Sequence, residues 1–144
     1  MDYNYSERYD VWLVFKSAHG YWLNKFLKRG FGHVLFLTKD KYNWFYLDPH
    51  QLRLTYGISP YETSVNVPRL LRNEGFTVVK ITFFDRATHR KLRYSHLCTC
   101  VSFVKYAMGI SIRCLTPYGL FKKLLTLTEK QKFKNGIVQV KNII

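Results

Sequence analysis

The sequence has few acidic residues, few cysteines and no long apolar run. Nine Asp and Glu side chains stand against 23 Lys and Arg, which gives a formal net charge of +14. Three cysteines cannot all pair with one another, so reduced thiols are favoured over a disulfide framework. No apolar run approaches the roughly 20 residues of a membrane-spanning helix, and the polar start MDYNYSERYD does not resemble a signal peptide. We therefore expect no transmembrane segment and no secretion by a signal peptide.

Several common motifs of enzyme chemistry are also absent. The chain has no Walker-type glycine loop, no GxSxG, no HExxH and no dinucleotide-binding fingerprint. His96, Cys98, Cys100 and Cys114 could suggest a zinc site, but their alternating spacing differs from the paired ligands of zinc knuckles. The sequence thus predicts neither a metal nor a cofactor.

What the chain does contain indicates one packed domain with a basic surface. Apolar residues make up 47% and aromatic residues 17% of the 144 positions, which is typical of a globular core. We predict a single domain over residues 1–127, followed by a basic tail at 128–144. The net charge favours an anionic partner, such as nucleic acid or an acidic protein surface.

The apolar patterns predict an α+β fold with an antiparallel sheet. The expected strands lie at 10–16, 32–38, 44–48, 51–57 and 76–84, the last of them in the interior of the sheet. The expected helices lie at 20–31, 67–73, 100–108 and 116–127. Residues 57–66, rich in turn formers, predict a loop, residues 85–96 predict an exposed connection, and Asn135-Gly136 predicts a small hairpin.

Cys100 is the candidate nucleophile, because it is expected at the first position of a helix. Thr99 precedes it as an N-cap, and the free N–H groups and the dipole at a helix start favour a thiolate. Placement on the apolar side of the helix would point the sulfur toward the sheet. The alternative is that Cys100 is a small buried hydrophobe, as many free cysteines are.

His33 is the candidate base and Asp48 the candidate partner that orients its ring. His33 begins the strand in GFGHVLFL, and Asp48 ends the strand that would pair with it across the turn KDKYN. A closed hairpin would bring Asp48 within reach of His33, as a general base requires. The alternatives are a structural histidine and an aspartate that forms a turn before Pro49.

The succession VWLVF, GFGHVLFL, W-x-x-x-DP, TCVSFVKYAMGI and LTPYGLFKKL resembles small phage- and prophage-encoded proteins of the papain-like, NlpC/P60-related kind. The resemblance spans about residues 11 to 125. The segment CVSFV at Cys100 is similar to the cysteine-helix motif of permuted NlpC/P60 and lecithin:retinol acyltransferase-like enzymes. In those enzymes the histidine strand precedes the nucleophile helix, which is also the order of His33 and Cys100.

This resemblance implies a permuted papain-like fold with a nucleophile helix packed on an antiparallel sheet. It implies a cysteine hydrolase of amide or ester bonds, with peptidoglycan peptide links as a candidate substrate. Cys100 would attack a carbonyl, His33 would transfer the proton and Asp48 would orient the ring, with His50 as the substitute for Asp48 and Cys98 as the substitute nucleophile.

The same resemblance bears on location and on an alternative function. It implies a phage-encoded protein located in the virion or in the host cytoplasm, with phage virion proteins as candidate partners. The alternative is a catalytically inactive, basic binding or structural protein that is associated with a virion or directed at the host. Its supporting features are the net charge and the lysine-rich segment 128–144.

Overall fold

The computed structural model describes residues 8–18, 25–50, 53–84, 99–108, 112–126, 131–133 and 136–143. Several features discussed for the sequence lie outside these residues: the connection at 85–96, the substitute nucleophile Cys98, His96 of the rejected zinc site, the turn residue Asn135 and residues 20–24 of the first predicted helix.

The described residues form seven strands and three helices. The strands are β1 (Arg8–Lys16), β2 (His33–Lys39), β3 (Asn43–His50), β4 (Arg53–Glu62), β5 (Thr77–Phe84), β6 (Gln131–Phe133) and β7 (Gly136–Ile143). The helices are α1 (Val67–Asn73), α2 (Cys100–Met108) and α3 (Pro117–Leu125).

All neighbouring strands in the sheet are antiparallel, in the order β4-β3-β2-β1-β5-β7-β6. Strands β1 to β5 form its main part, and β7 extends it alongside β5. The predicted α+β class with an antiparallel sheet is confirmed, and so is the interior position of β5. A sheet of this kind needs only short connections between β2, β3 and β4, which the chain provides.

Two hydrophobic clusters show that the sheet is covered on both faces. The first joins β1, β2 and β5 to α2 and α3 through fully buried side chains such as Phe15, Val104 and Leu120. The second joins Val14, Leu37 and Trp44 of the sheet to Val67 of α1. The alternation of neighbouring β1 residues between the clusters follows from the two-residue period of a strand. The sheet is therefore the rigid middle layer of the described structure.

The described structure corrects two predictions. Residues 57–62 continue β4 and do not belong to a loop, because an edge strand pairs on one side only and tolerates Pro60. Within the helix predicted at 20–31, Lys25 and Phe26 form only a short turn of 3₁₀-helix. Gly30 ends this segment with a positive φ of 82°, as a residue without a Cβ can.

Part of the predicted basic tail contributes strands to the sheet. Strand β7 pairs with β5, with Ile81 opposite Val140, and β6 pairs with β7, with Phe133 opposite Gly136. The predicted hairpin at this place is confirmed by that pairing. Strand β7 of this segment thus supplies backbone hydrogen bonds to the interior strand β5.

A close backbone approach sets the start of β2. The N–H of Gly32 donates to the carbonyl oxygen of Lys16 at 3.0 Å, and Lys16 is the register partner of His33. A Cβ at Gly32 would lie 2.5 Å from the backbone nitrogen of Ala18 and 2.8 Å from its Cβ. Only glycine fits there, so His33 enters the sheet directly after a position that no other residue can occupy without displacement.

We predict that Gly32→Ala lowers the free energy of unfolding by at least about 2 kcal/mol, since the added methyl group meets backbone that cannot move aside. Gly30→Ala is the matched control. Nothing lies within 4 Å of a Cβ at Gly30, so this change should cost only about 1 kcal/mol, from the positive φ. Urea denaturation measures both values. A smaller loss for Gly32→Ala than for Gly30→Ala would contradict the close approach.

Candidate active site

Cys100 is the first residue of α2, and a reciprocal cap fixes that helix start. The N–H of Ser102 donates to Thr99 Oγ1 at 3.1 Å, and the N–H of Thr99 donates to Ser102 Oγ at 2.7 Å. This pattern is a capping box in which serine takes the usual place of glutamate. The cap confirms Thr99 as the residue that begins the helix and places Cys100 at its N-terminal end, half-buried.

The His33 ring contacts both of its predicted partners. Its Nε2 atom forms a hydrogen bond with Asp48 Oδ1. The Cys100 side chain lies close enough to raise the pKa of the ring through hydrogen bonding and charge. Since Nε2 is engaged by the carboxylate, the other ring nitrogen, Nδ1, is the one left for the sulfur. The three side chains thus form a chain from thiol to imidazole to carboxylate.

Lys16 completes the environment of Asp48. Its ammonium group donates to Asp48 Oδ2 at 3.3 Å, so each carboxylate oxygen has a cationic or N–H partner. Lys16 and His33 are opposite each other in the register of β1 and β2, which brings the ammonium group to this place. The carboxylate is consequently held from two strands.

These contacts shift the pKa values of the acid and the base in opposite directions. Burial alone would lower the pKa of His33, but hydrogen bonds to Asp48 and Cys100 and their charges outweigh it and raise that pKa to about 9. Burial alone would raise the pKa of Asp48, but the His33 hydrogen bond and the Lys16 charge lower it to about 2. The favoured pair at neutral pH is therefore an imidazolium and a carboxylate.

His50 is the third side chain beside Asp48. Its ring stacks on that of His33 with centroids 5.1 Å apart and planes 11° apart, and its Nε2 atom lies 3.6 Å from Asp48 Oδ1. At that distance Asp48 is more strongly bound to His33 than to His50. Of the two predicted candidates for contacting His33 Nε2, Asp48 is the one that does so.

His33, Asp48 and His50 are also the described residues that could hold a metal ion, since their ligand atoms lie within 4.8 Å of one another. An imidazole binds a metal in the plane of its ring, along the lone pair of a nitrogen. Two rings only 11° from parallel direct these lone pairs side by side instead of toward one point. The arrangement therefore fits a hydrogen-bonded triad better than a metal centre.

The Cys100 and His33 side chains line a cleft of about 840 Å³. Its walls come mainly from the segment 26–32, from the turn at 74–76, from the start of α2 and from the segment 115–117. Most wall residues are apolar, among them Phe26, Phe76 and Leu115, whereas Lys16 and Glu74 supply charge. Asp48 is not part of the cleft wall, so it contacts His33 from behind.

The sequence prediction named three residues that the structure brings together: Cys100, His33 and Asp48. It missed Lys16, which appears in the sequence only as the polar end of the strand DVWLVFK. The signal that could have found it is the antiparallel pairing of β1 with β2, which makes Lys16 a neighbour of His33. That pairing needs tertiary information.

Comparisons with known proteins provide no family for this chain. No family model, no curated protein and no solved structure matches it. Among the described residues, no helix has both the length and the apolar character needed to cross a membrane.

We predict that His33 titrates with a pKa of about 9 in the folded protein, measured from the pH dependence of its ring NMR signals. Since this value lies above the ordinary 6.5, the imidazolium stabilises the fold fully below pH 6.5, and this contribution is lost as the pH rises through about 9. Asp48→Asn removes the anionic partner and should move the His33 titration to lower pH.

Asp40→Asn is the matched control, because Asp40 lies in the turn before β3, where it accepts hydrogen bonds from the amides of Tyr42 and Asn43. It should leave the His33 titration unchanged. An unshifted His33 titration in Asp48→Asn would show that the carboxylate does not hold the ring in its charged form.

Proposed function

We propose that the protein is a cysteine hydrolase of amide or ester bonds, with Cys100 as nucleophile, His33 as general acid and base, and Asp48 as the residue that orients His33. One observation carries the proposal: a single imidazole on the wall of a cleft hydrogen-bonds a half-buried carboxylate, and its pKa is raised by the side chain of a cysteine at a capped helix start. A nucleophile, a base and an orienting group in this order are the parts that covalent acyl transfer needs.

In the proposed reaction, the sulfur of Cys100 attacks the substrate carbonyl carbon while His33 holds the thiol proton. The tetrahedral intermediate then collapses, its bond to the leaving amine or alcohol breaks, and His33 gives the proton to that group. Water next attacks the thioester, His33 accepts the water proton, and the proton returns to the sulfur as the acid product leaves. Asp48 stays ionised throughout, as its lowered pKa allows.

The start of α2 supplies the hydrogen-bond donors that this chemistry needs. The first N–H groups of a helix have no partner within the helix, and Thr99 takes up the amide of Ser102. The amides of Cys100 and Val101 therefore fit the place where the carbonyl oxygen becomes negative. Donors at such a position contribute about 10²–10³ in rate in known acyl-transfer enzymes.

The proposals on family, substrate and biological setting depend on the sequence resemblance to NlpC/P60-related proteins. A histidine strand that precedes a cysteine helix supports a permuted papain-like arrangement of the NlpC/P60-related kind. Peptidoglycan peptide links are then one candidate substrate, and a phage-encoded protein of the virion or the host cytoplasm is the candidate setting. Release of new amino groups from purified peptidoglycan by the wild type, but not by Cys100→Ser, would support this substrate class.

We predict that p-nitrophenyl acetate gives a stoichiometric burst of p-nitrophenolate and an acetyl group on Cys100, detected by mass spectrometry of the intact protein and its peptides. Cys100→Ser should abolish the burst, since an unactivated hydroxyl is a far weaker nucleophile than a thiolate. His33→Gln should slow acylation by about 10²–10⁴, the usual contribution of a general base.

Two matched controls test this assignment. Cys98→Ser should retain the burst if Cys100, and not its neighbour, is the nucleophile. Cys114 is a second thiol of the chain, and burial raises its pKa, so it should acetylate more slowly than Cys100. Acetylation that is equal at all three cysteines, or that survives Cys100→Ser, would refute the proposed nucleophile.

A second candidate function is favoured by the net charge of +14. In this alternative the fold is an inactive scaffold that binds an anionic partner. It predicts no burst in the wild type, and partner binding that Cys100→Ser leaves intact. The acylation experiment therefore separates the two functions.

A further inference from the structure

The mouth of the cleft combines positive charge with exposed apolar side chains. Phe26 and Leu115 both line the cleft, yet 79% of Phe26 and 90% of Leu115 are exposed. Exposure of two large apolar residues at one opening is costly in water, and such a pair often marks a surface that meets a partner.

The two segments that carry these residues are strongly basic. Residues 25–31 contain three cations and residues 112–126 contain three more, with no Asp or Glu in either segment. All six cationic side chains are exposed: Lys25, Lys28, Arg29, Arg113, Lys122 and Lys123. The acidic residue that lines the cleft is Glu74.

Tyr118 joins the two segments into one surface. The ammonium group of Lys28 lies 4.0 Å from the centre of the Tyr118 ring and that of Lys122 lies 5.1 Å from it. Lys28 also donates to the Tyr118 hydroxyl at 2.9 Å. We call the surface formed by Lys25, Lys28, Arg29, Lys122, Phe26 and Leu115 the cleft rim.

We infer that the cleft rim docks onto an anionic lipid surface, with Phe26 and Leu115 inserted among the lipids and the cations against the headgroups. Basic residues around exposed apolar side chains are the combination that peripheral membrane binding uses. The inference concerns binding and does not depend on the proposed hydrolase activity.

The aromatic contacts of the rim argue against single-stranded nucleic acid as its partner. Among the rim residues only Phe26 carries an aromatic ring, so the rim offers one stacking position, whereas binding of a single strand uses several rings for successive bases. The neighbouring Tyr118 ring is covered by Lys28 and Lys122 and packs against Phe31 and Phe121. Leu115, the most exposed large apolar residue described, offers no ring at all. An aliphatic side chain gains most from a hydrocarbon environment.

The experiment measures co-sedimentation of the full chain with vesicles of phosphatidylglycerol and phosphatidylcholine, and with vesicles of phosphatidylcholine alone. We expect binding only to the anionic vesicles, weakened by added salt. Lys25→Gln with Arg29→Gln should weaken binding about 25-fold, since each cation near an anionic surface contributes roughly fivefold. Leu115→Ser should weaken it at least about fivefold, through the loss of inserted apolar area.

Matched controls carry the same changes elsewhere on the surface. Lys41→Gln with Arg69→Gln removes one exposed lysine and one exposed arginine from outside the rim, and Ile58→Ser removes an apolar residue that is 61% exposed on β4. Circular dichroism confirms that each variant is folded. Both controls should bind as the wild type does.

Four outcomes would overturn the inference. The first is a lack of binding to anionic vesicles, and the second is an equal loss in rim and control variants. The third is tight binding to a single-stranded oligothymidylate that the rim variants abolish, with no binding to vesicles. Retention of vesicle binding in Leu115→Ser would likewise refute insertion. A protein that binds vesicles but shows no acylation burst would keep this inference and lose the proposed hydrolase.

Discussion

The hydrogen bond between the His33 imidazole and the Asp48 carboxylate is the interaction on which the site depends. Burial by itself would drive both groups toward their neutral forms, and burial is the largest single influence on each. Paired, they keep opposite charges at neutral pH, and Lys16 adds a second cation on the other carboxylate oxygen. Loss of Asp48 would remove the counter-ion of the imidazolium, and burial would then favour the neutral ring. The ring orientation and its charge therefore have the same origin.

The sheet positions the groups of this hydrogen-bonded cluster, because each of the three side chains belongs to a different strand. Lys16 ends β1, His33 begins β2 and Asp48 lies near the end of β3. Because adjacent strands are antiparallel, all three side chains lie at the same end of the strands. The Cys100 thiol is positioned by a different element, the capped first turn of α2, and this helix packs in the cluster that contains Val34. Strands hold His33 while a helix start holds Cys100, and attachment to regular elements limits the motion of either side chain.

The sequence predicted best what depends on neighbouring residues. The cap at Thr99 follows from a Thr before an apolar run, and Thr99 caps α2 in the structure. The approach of Asp48 to His33 follows from one short turn between two strands. Lys16 was missed because its place beside His33 depends on pairing across 16 intervening residues. The sequence predicts a tail in place of strand β7 for the same reason, since the partner strand β5 lies more than 50 residues earlier in the chain. Nothing local encodes such partners.

The proposed chemistry and the proposed lipid contact meet at the same opening. Phe26 and Leu115 are wall residues of the cleft and also the exposed residues of the rim. An apolar part of a substrate that lies in a lipid surface could enter a cleft with these walls without first crossing water, so the hydrophobic cost of its transfer would be avoided. Of the ionised pair, His33 lines the cleft, whereas Asp48 contacts His33 and does not line it. Under the two proposals, one opening would accept an apolar group at Phe26 and Leu115 and present the His33 ring, which lines the same cleft, to the carbonyl.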